Sequence, residues 1–257
     1  MKKRRVSRVI SVVVVSSFLG CWVVSMTAAG SEMASAMSAL EIERVEKAGT
    51  EQVEKPAEEV YKNIQIFKGL PASRLLGAMN RFTQFLNVNC DHCHVPAKYD
   101  KDDKPTKQTA RKMFQMVRLI GRELNTNTVT CYTCHRGRPQ PEPPPAAWKA
   151  ELDEMMKKGV EDTRPAEQVF KNVQALRGVP AGRWTTIMTM FTRALGVECS
   201  HCHVPGAFEK DDKPSKLTAR KMLALTGSIS REIYNGPTPV NCYTCHRGGI
   251  KPISMPE

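Results

Sequence analysis

Four copies of one five-residue pattern, Cys-x-x-Cys-His, constrain this chain more than any other feature. They use eight of its nine cysteines and four of its six histidines. Two thiols three residues apart lie on one side of a helical turn and can reach the two vinyl groups of one porphyrin, and the next histidine is placed to ligate the iron. The sequence therefore predicts four covalently bound c-type haems. The thioether cysteines are Cys90, Cys93, Cys131, Cys134, Cys199, Cys202, Cys242 and Cys245, and the iron ligands are His94, His135, His203 and His246.

Two other interpretations of the paired cysteines fit the sequence less well. Eight cysteines in an exported chain could form disulfides, but disulfides do not require a histidine after every second cysteine. Zinc is also bound by Cys-x-x-Cys pairs, yet about 40 residues between pairs is long for a zinc ribbon.

Net charge argues against a nucleic-acid role. The formal charge is +12, but five basic and no acidic residues lie in the first 31 positions. The eight propionates of four haems would bring the remainder to about −1. Aromatic residues make up only 6% of the chain. We therefore expect the porphyrins to supply much of the apolar interior.

The N-terminus predicts export to the periplasmic side of a bacterial inner membrane. A basic start is followed by an uncharged run from Val9 to Ser31. This run is compatible with a cleaved signal peptide or with an uncleaved anchor helix. Cys21, the one cysteine outside the motifs, follows Phe18-Leu19-Gly20 and loosely resembles a lipoprotein box. All three alternatives place the haem-binding part outside the cytoplasm, either tethered to the membrane or soluble.

The chain contains a tandem repeat. The segment 55–63 recurs at 164–172, an offset of 109, and the first motifs keep that offset. The second motifs are 111 apart, which predicts a two-residue insertion around 235–239. We divide the chain into a signal or anchor (1–31), a spacer (32–54), di-haem repeat 1 (55–138), a Pro-rich linker with a short helix over 146–158 (139–163), and di-haem repeat 2 (164–257).

The pattern within each repeat is helical. Leu75, Met79, Phe82 and Leu86 share one face of a helix that Pro71 would start, and a second helix is predicted from Thr106 to Leu124. No strand pattern is evident. The predicted fold class is mostly α, a multihaem c-type cytochrome built from tandem pseudo-twofold di-haem repeats with little or no sheet.

The repeat also selects candidate distal iron ligands. His92 and His201 are the only other histidines and lie inside the motifs, so methionine is the remaining common ligand. Met79 and Met188 superpose in the repeat, as do Met113 and Met222. Met116 and Met190 have no counterpart. We predict distal ligation by the four matched methionines, the alternative being that they fill the core.

Two further patterns are less specific. Arg136 and Arg247 follow the second motifs and could pair with a haem propionate or lie in a solvated loop. The Lys-Asp-Asp-Lys runs at 101–104 and 210–213 are expected to be solvated turns, or otherwise a charged docking surface.

Each repeat contains, in chain order, a helix that carries a methionine, Cys-x-x-Cys-His, a second helix with Ala-Arg-Lys-Met, and Cys-Tyr-Thr-Cys-His-Arg-Gly. In these features each repeat resembles the tetrahaem cytochrome c subunit of photosynthetic reaction centres. The resemblance covers about residues 55 to 250. It implies four haems in a row and a membrane-attached periplasmic donor that re-reduces a photo-oxidised chlorophyll pair. Many members use a distal histidine on one haem, which this chain lacks between 95 and 134 and between 204 and 245.

The expected function is electron transport from a soluble donor, through haem iron, to a membrane complex, with no catalytic side chain. The acceptor is a photosynthetic reaction centre or, alternatively, a respiratory complex served by a carrier of the same fold. A third interpretation is that the chain is a multihaem oxidoreductase, which would need an iron with an open coordination position.

Overall fold

The regular structure is almost entirely helical in the computed structural model, which describes residues 54–256. Within that range there is no strand, only four isolated β-bridges. The mostly helical prediction is therefore confirmed. The α-helices are α1 (Ala57–Val60), α2 (Leu75–Leu86), α3 (Pro105–Leu124), α4 (Cys131–His135), α5 (Ala146–Lys157), α6 (Ala166–Val169), α7 (Trp184–Leu195), α8 (Pro214–Ser228) and α9 (Cys242–His246).

Prolines mark the starts of the long helices. Pro71 caps a 3₁₀ turn, Ala72–Arg74, that continues into α2. Pro105 and Pro214 occupy the first turn of α3 and α8, where a missing amide hydrogen costs nothing. The residue before each of these two prolines is extended, as the proline ring requires.

The linker helix α5 packs against the second repeat. Its predicted range, 146–158, is confirmed to within one residue, since Lys158 is the C-cap. Arg183 Nη1 donates to the carbonyl oxygen of Met155 at 3.0 Å, and the rings of Trp148 and Tyr243 meet edge to face with centroids 5.0 Å apart. These contacts hold α5 against residues of the second repeat.

Helix α8 continues into a π-helix, Ile229–Tyr234, that has no counterpart after α3. Pro105 and Pro214 are 109 positions apart, whereas the left-handed capping residues Asn125 and Asn235 are 110 apart. One extra residue is therefore held in the π-helix, whose hydrogen bonds span one residue more than those of an α-helix. The other lies between Asn235 and Cys242. The prediction of both insertions at 235–239 is thus wrong for one of them.

The protein's own side chains make a small core. The buried hydrophobic residues of the described range number eleven, and four of these are alanines. A hydrophobic cluster of buried residues joins the two repeats. Its members come from α3, α8 and the π-helix, namely Met116, Leu119, Ile120, Leu225 and Ile229.

The second motifs also meet where the repeats join. Arg247 Nη2 donates to the carbonyl oxygen of Cys134 at 2.7 Å, and Arg136 Nη2 approaches that of Cys245 at 3.5 Å. Each arginine therefore contacts the other repeat's second motif. The Nε atoms of both arginines are buried without a hydrogen-bond partner in the described range. Propionate pairing by these arginines stays a prediction.

The predicted signal or anchor, residues 1–31, and the spacer up to residue 53 lie outside the described residues. Among residues 54–256, no helix combines the length and apolar character that crossing a bilayer requires.

Candidate haem-binding sites

Each Cys-x-x-Cys-His motif forms a single helical turn. The first motifs contain 3₁₀ turns, Cys90–His92 and Cys199–His201, and the second motifs are α4 and α9. In the first motifs the histidine amide donates to the carbonyl of the first cysteine at 3.0 Å in both repeats. One turn thus carries two cysteines and a histidine, which is the arrangement that covalent haem attachment needs.

All four motif histidines are oriented in the same way. A peptide carbonyl can only accept a hydrogen bond, so Nδ1 carries the proton and Nε2 keeps its lone pair for iron. The contacts are His94 Nδ1 to Tyr99 O at 2.9 Å, His135 Nδ1 to Arg138 O at 3.0 Å, His203 Nδ1 to Phe208 O at 3.0 Å and His246 Nδ1 to Gly249 O at 3.0 Å. Neither His92 nor His201 makes such a contact within residues 54–256.

Burial shifts the pKa of several motif side chains. It lowers the pKa of His94 and of His135, which favours the neutral imidazole that ligates iron. Burial also raises the pKa of the thiols of Cys93, Cys131, Cys202 and Cys242. The donor set therefore fits haem c.

A cavity of about 820 Å³ lies beside Cys242, within the size range of ligand-binding pockets. Its walls come from α5, α7, α8 and the π-helix, and they include Trp148, Phe191, Leu223 and Ser230. Of the second motif of repeat 2, Cys242 and Tyr243 line the cavity, which makes it a candidate place for a porphyrin joined through Cys242.

Repeat 1 has aromatic rings at three positions equivalent to the lining of this cavity. Phe67, Phe82 and Phe114 pack together with ring centroids 4.9 to 6.3 Å apart. Repeat 2 has Leu176, Phe191 and Leu223 at those positions, and all three line the cavity. The two second-motif sites therefore have different surroundings, although their motifs are identical in sequence.

The structure places the four predicted distal methionines in two different settings. Met79 and Met188 lie half-buried on α2 and α7. Met113 and Met222 pack against the cluster that joins the repeats. Met222 does not line the cavity beside Cys242, whereas Met190 does. The repeat criterion passed over Met190 because its counterpart is Arg81, and distal ligation remains a prediction for all four.

Two of the predicted attachment cysteines are joined to each other. Cys134 and Cys245, the second cysteines of the two second motifs, form a disulfide across 111 residues. The motif cysteines that remain free are Cys90, Cys93, Cys131, Cys199, Cys202 and Cys242. A sulfur atom in a disulfide cannot form a thioether at the same time. Haem attachment at all four motifs therefore requires Cys134 and Cys245 in the thiol form.

The sequence led us to expect solvated turns at the Lys-Asp-Asp-Lys runs. In the structure, their aspartates instead form ion pairs with helix residues. The Asp102 carboxylate accepts a hydrogen bond from Arg111 Nη1 at 2.9 Å and lies 3.1 Å from Lys107 Nζ. Asp211 repeats this arrangement with Arg220 and Lys216. Sequence reasoning named the two runs but missed the pairing of their aspartates with residues of α3 and α8, although the recurrence of both segments at an offset of 109 was a usable signal.

The fold and the four motifs define a helical cytochrome that binds haem c covalently. The chain belongs to the photosynthetic reaction centre cytochrome c subunit family. The sequence profile of this family matches residues 20–162 and, again, residues 145–255. The family resemblance inferred from the motifs is thus confirmed.

Two of the similar proteins carry the family's name, and a third is another cytochrome c. The photosynthetic reaction center cytochrome c subunit of Thermochromatium tepidum is 26% identical over 250 residues, which cover 77% of this chain and 61% of that protein. That of Rubrivivax gelatinosus is 22% identical over 253 residues, which cover 77% and 68%. Cytochrome c-554 of Chloroflexus aurantiacus is 40% identical over 81 residues, or 29% of this chain and 20% of that protein. The chain therefore spans about three fifths of the Thermochromatium subunit.

Proposed function

We propose that this chain is a tetrahaem electron carrier that passes electrons from a soluble donor to a membrane complex. The observation that carries the proposal is the common orientation of the four motif histidines, each with Nδ1 on a carbonyl and Nε2 left for iron. Bound haem supplies a one-electron couple between ferric and ferrous iron. The chain holds the imidazoles, excludes water and sets the charge around each site.

Four haems are attached in this proposal, one to each cysteine pair. The intact mass of the denatured holoprotein should exceed that of the mature polypeptide by four haem masses. Cys134→Ala should weaken attachment at the second motif of repeat 1, and Cys245→Ala should weaken it at that of repeat 2. A native mass with fewer than four haems, together with a disulfide between Cys134 and Cys245, would contradict the count.

We further propose that Met79, Met113, Met188 and Met222 are the distal ligands. Replacement of any one by histidine should lower one reduction potential and leave attachment intact, because imidazole stabilises ferric iron more than a thioether does. Met190→Ala is the matched comparison on α7. If Met190→Ala changes the spectrum of the second-motif haem of repeat 2 and Met222→His does not, the assignment of Met222 is wrong.

The acceptor in this proposal is a photosynthetic reaction centre, which the names of the similar subunits support. Haem oxidation should then follow a light flash on membranes of the source organism, at a rate independent of dilution. If the source organism makes no reaction centre, a respiratory complex is the acceptor.

The activity in this proposal is electron transfer rather than catalysis. The iron atoms should then have no open coordination position, so the reduced protein should not bind carbon monoxide rapidly.

Periplasmic location and membrane attachment complete the proposal. Attachment would come from residues 9–31 or from lipid on Cys21, and it would raise the local concentration of donor at the acceptor. Fractionation of native and Cys21→Ser cells separates these sources, because only the lipid depends on Cys21. Recovery of mature holoprotein from the cytoplasm would contradict export.

A further inference from the structure

Two lysines are buried beside the first-motif histidines. Lys107 and Lys216 lie in the first turns of α3 and α8 and are 7% and 8% exposed, which is unusual for a lysine. Lys107 Nζ donates to the carbonyl oxygens of Tyr99 at 2.8 Å and Lys101 at 2.6 Å. Lys216 Nζ donates to those of Phe208 at 2.9 Å, Glu209 at 3.0 Å and Lys210 at 2.7 Å.

Each lysine shares one acceptor with an iron-ligating histidine. The carbonyl oxygen of Tyr99 also accepts the hydrogen bond from His94 Nδ1, and that of Phe208 accepts the one from His203 Nδ1. A carbonyl oxygen has two lone pairs, so it can accept from both donors. The second motifs differ, because within residues 54–256 no lysine donates to the carbonyls that hold His135 and His246.

A cation on the shared carbonyl should change the electronic properties of the imidazole. It draws electron density from the oxygen, so the oxygen accepts more weakly from Nδ1–H. The imidazole is then a weaker donor to iron, which disfavours the ferric state. The buried positive charge also opposes the additional positive charge of ferric iron directly. Both effects have the same sign, and both favour ferrous iron.

The carboxylate beside each lysine acts in the opposite direction. Asp102 Oδ1 lies 3.1 Å from Lys107 Nζ, and Asp211 Oδ1 lies 3.1 Å from Lys216 Nζ. Both carboxylates are about one-third exposed, at 34%, so water weakens their effect more than that of the buried lysines. The lysine and the aspartate can therefore be tested as a pair with opposite expected signs.

We propose that Lys107 and Lys216 are positioning residues that raise the reduction potentials of the two first-motif haems through the carbonyl oxygens of Tyr99 and Phe208. The inference rests on the proposed function, because it needs haem iron on His94 and His203. Each iron exchanges one electron with the mediator of a titration, and no proton or ligand is exchanged.

The test is a potentiometric titration of the holoprotein with all four haems resolved by spectrum. Lys107→Met should reduce the ferrous-to-ferric ratio of one haem on the order of tenfold at the native midpoint, which is about 59 mV for one electron. Lys216→Met should shift a different haem, and the double variant should shift both. The reduction potentials of the two second-motif haems should not change. The exposed Lys101→Met and Lys210→Met are matched controls that should leave every potential unchanged.

The aspartate variants test the direction of the potential shift. Asp102→Asn removes the opposing charge and should raise the potential that Lys107→Met lowers. A purely structural role for the ion pair would give lower stability to urea in both variants without potential shifts of opposite sign, and this result would overturn the inference. If Lys107→Met does not retain haem, Lys107→Gln, which keeps a neutral donor, and Asp102→Asn decide.

Failure of the proposed function is visible separately. The intact mass of each variant reports whether haem is attached at the first motif before any potential is read. A native chain without haem at Cys90 and Cys93 contradicts the proposed function. A native chain with four haems whose potentials are insensitive to Lys107, Lys216 and the paired aspartates contradicts only this inference.

Discussion

Gly196, at the residue scale, is the position where the second repeat leaves no space for a side chain. It caps α7 with φ +63°, and an added Cβ would lie 2.2 Å from the carbonyl oxygen of Gly248. That oxygen belongs to the backbone that follows α9, so it cannot move without disturbing the second motif. Repeat 1 has Asn87 here, also left-handed with φ 51°.

Gly196→Ala should therefore lower the free energy of unfolding by about 1–3 kcal/mol, combining the steric clash with backbone strain. Urea denaturation measures this. Gly206→Ala is the matched control, because its φ is +78° and nothing lies within 4 Å of an added Cβ. Equal losses in the two variants would show that positive φ alone, and not the contact with Gly248, limits this position.

Acid should destabilise the protein through its two paired aspartates. Hydrogen bonds from Arg111 hold the pKa of Asp102 well below its usual range, and Arg220 does the same for Asp211. A carboxyl whose pKa falls on folding stabilises the protein above its unfolded pKa of about 3.9, and this contribution is lost as the pH falls towards the folded value.

Asp102→Asn should consequently reduce, but not abolish, the pH dependence of the urea midpoint below about pH 4, because Asp211 still titrates there. The measurement compares native, Asp102→Asn and Asp103→Asn proteins. Asp103 is exposed and forms no ion pair within the described range, so its variant should follow the native curve. A native curve that stays flat between about pH 4 and pH 2 would contradict the assignment.

The sequence predicted the iron-ligating histidines but not what orients them. Cys-x-x-Cys-His spacing is local, so it identified His94, His135, His203 and His246 directly. The accepting carbonyls lie three or five residues further on and meet the ring only because the chain turns back. Likewise, Lys107 reads as an ordinary surface residue until the fold buries it.

At the scale of elements, α3, α8 and the π-helix hold the repeats together through one hydrophobic cluster. Leu119 is 3% exposed at its centre. Leu119→Ala should lower the free energy of unfolding by about 2–5 kcal/mol, because it removes buried methyl groups and leaves a cavity. Differential scanning calorimetry or urea denaturation measures the loss. Leu217→Ala, at a position 44% exposed on α8, should cost far less. Similar losses would contradict the role of the cluster.

Helix positions followed from the sequence because proline placement and 3.6-residue periodicity are local signals. They predicted α2, α3 and α5 to within a few residues. The π-helix was missed because an insertion of one residue leaves the same apolar spacing on either side of it. Only the hydrogen-bond register, which shifts within Ile229–Tyr234, shows where the residue was added.

On the scale of the whole molecule, the two repeats share a plan but differ inside. Side-chain volume explains the difference, since Phe85 and Phe114 of repeat 1 correspond to Ala194 and Leu223 at the cavity. The sequence alone aligned these residues without showing that they face one space. We therefore expect the haems of the two second motifs to differ in solvent access and spectrum.

The reciprocal contacts of Arg136 and Arg247 have a consequence for the origin of the chain. Residue i of one half meets residue j of the other and j meets i, while the equivalent Cys134 and Cys245 meet each other. This is the contact pattern of an isologous homodimer. A single-repeat ancestor could have paired with its own copy through this surface. Gene fusion would then have made the pairing permanent and freed each half to diverge.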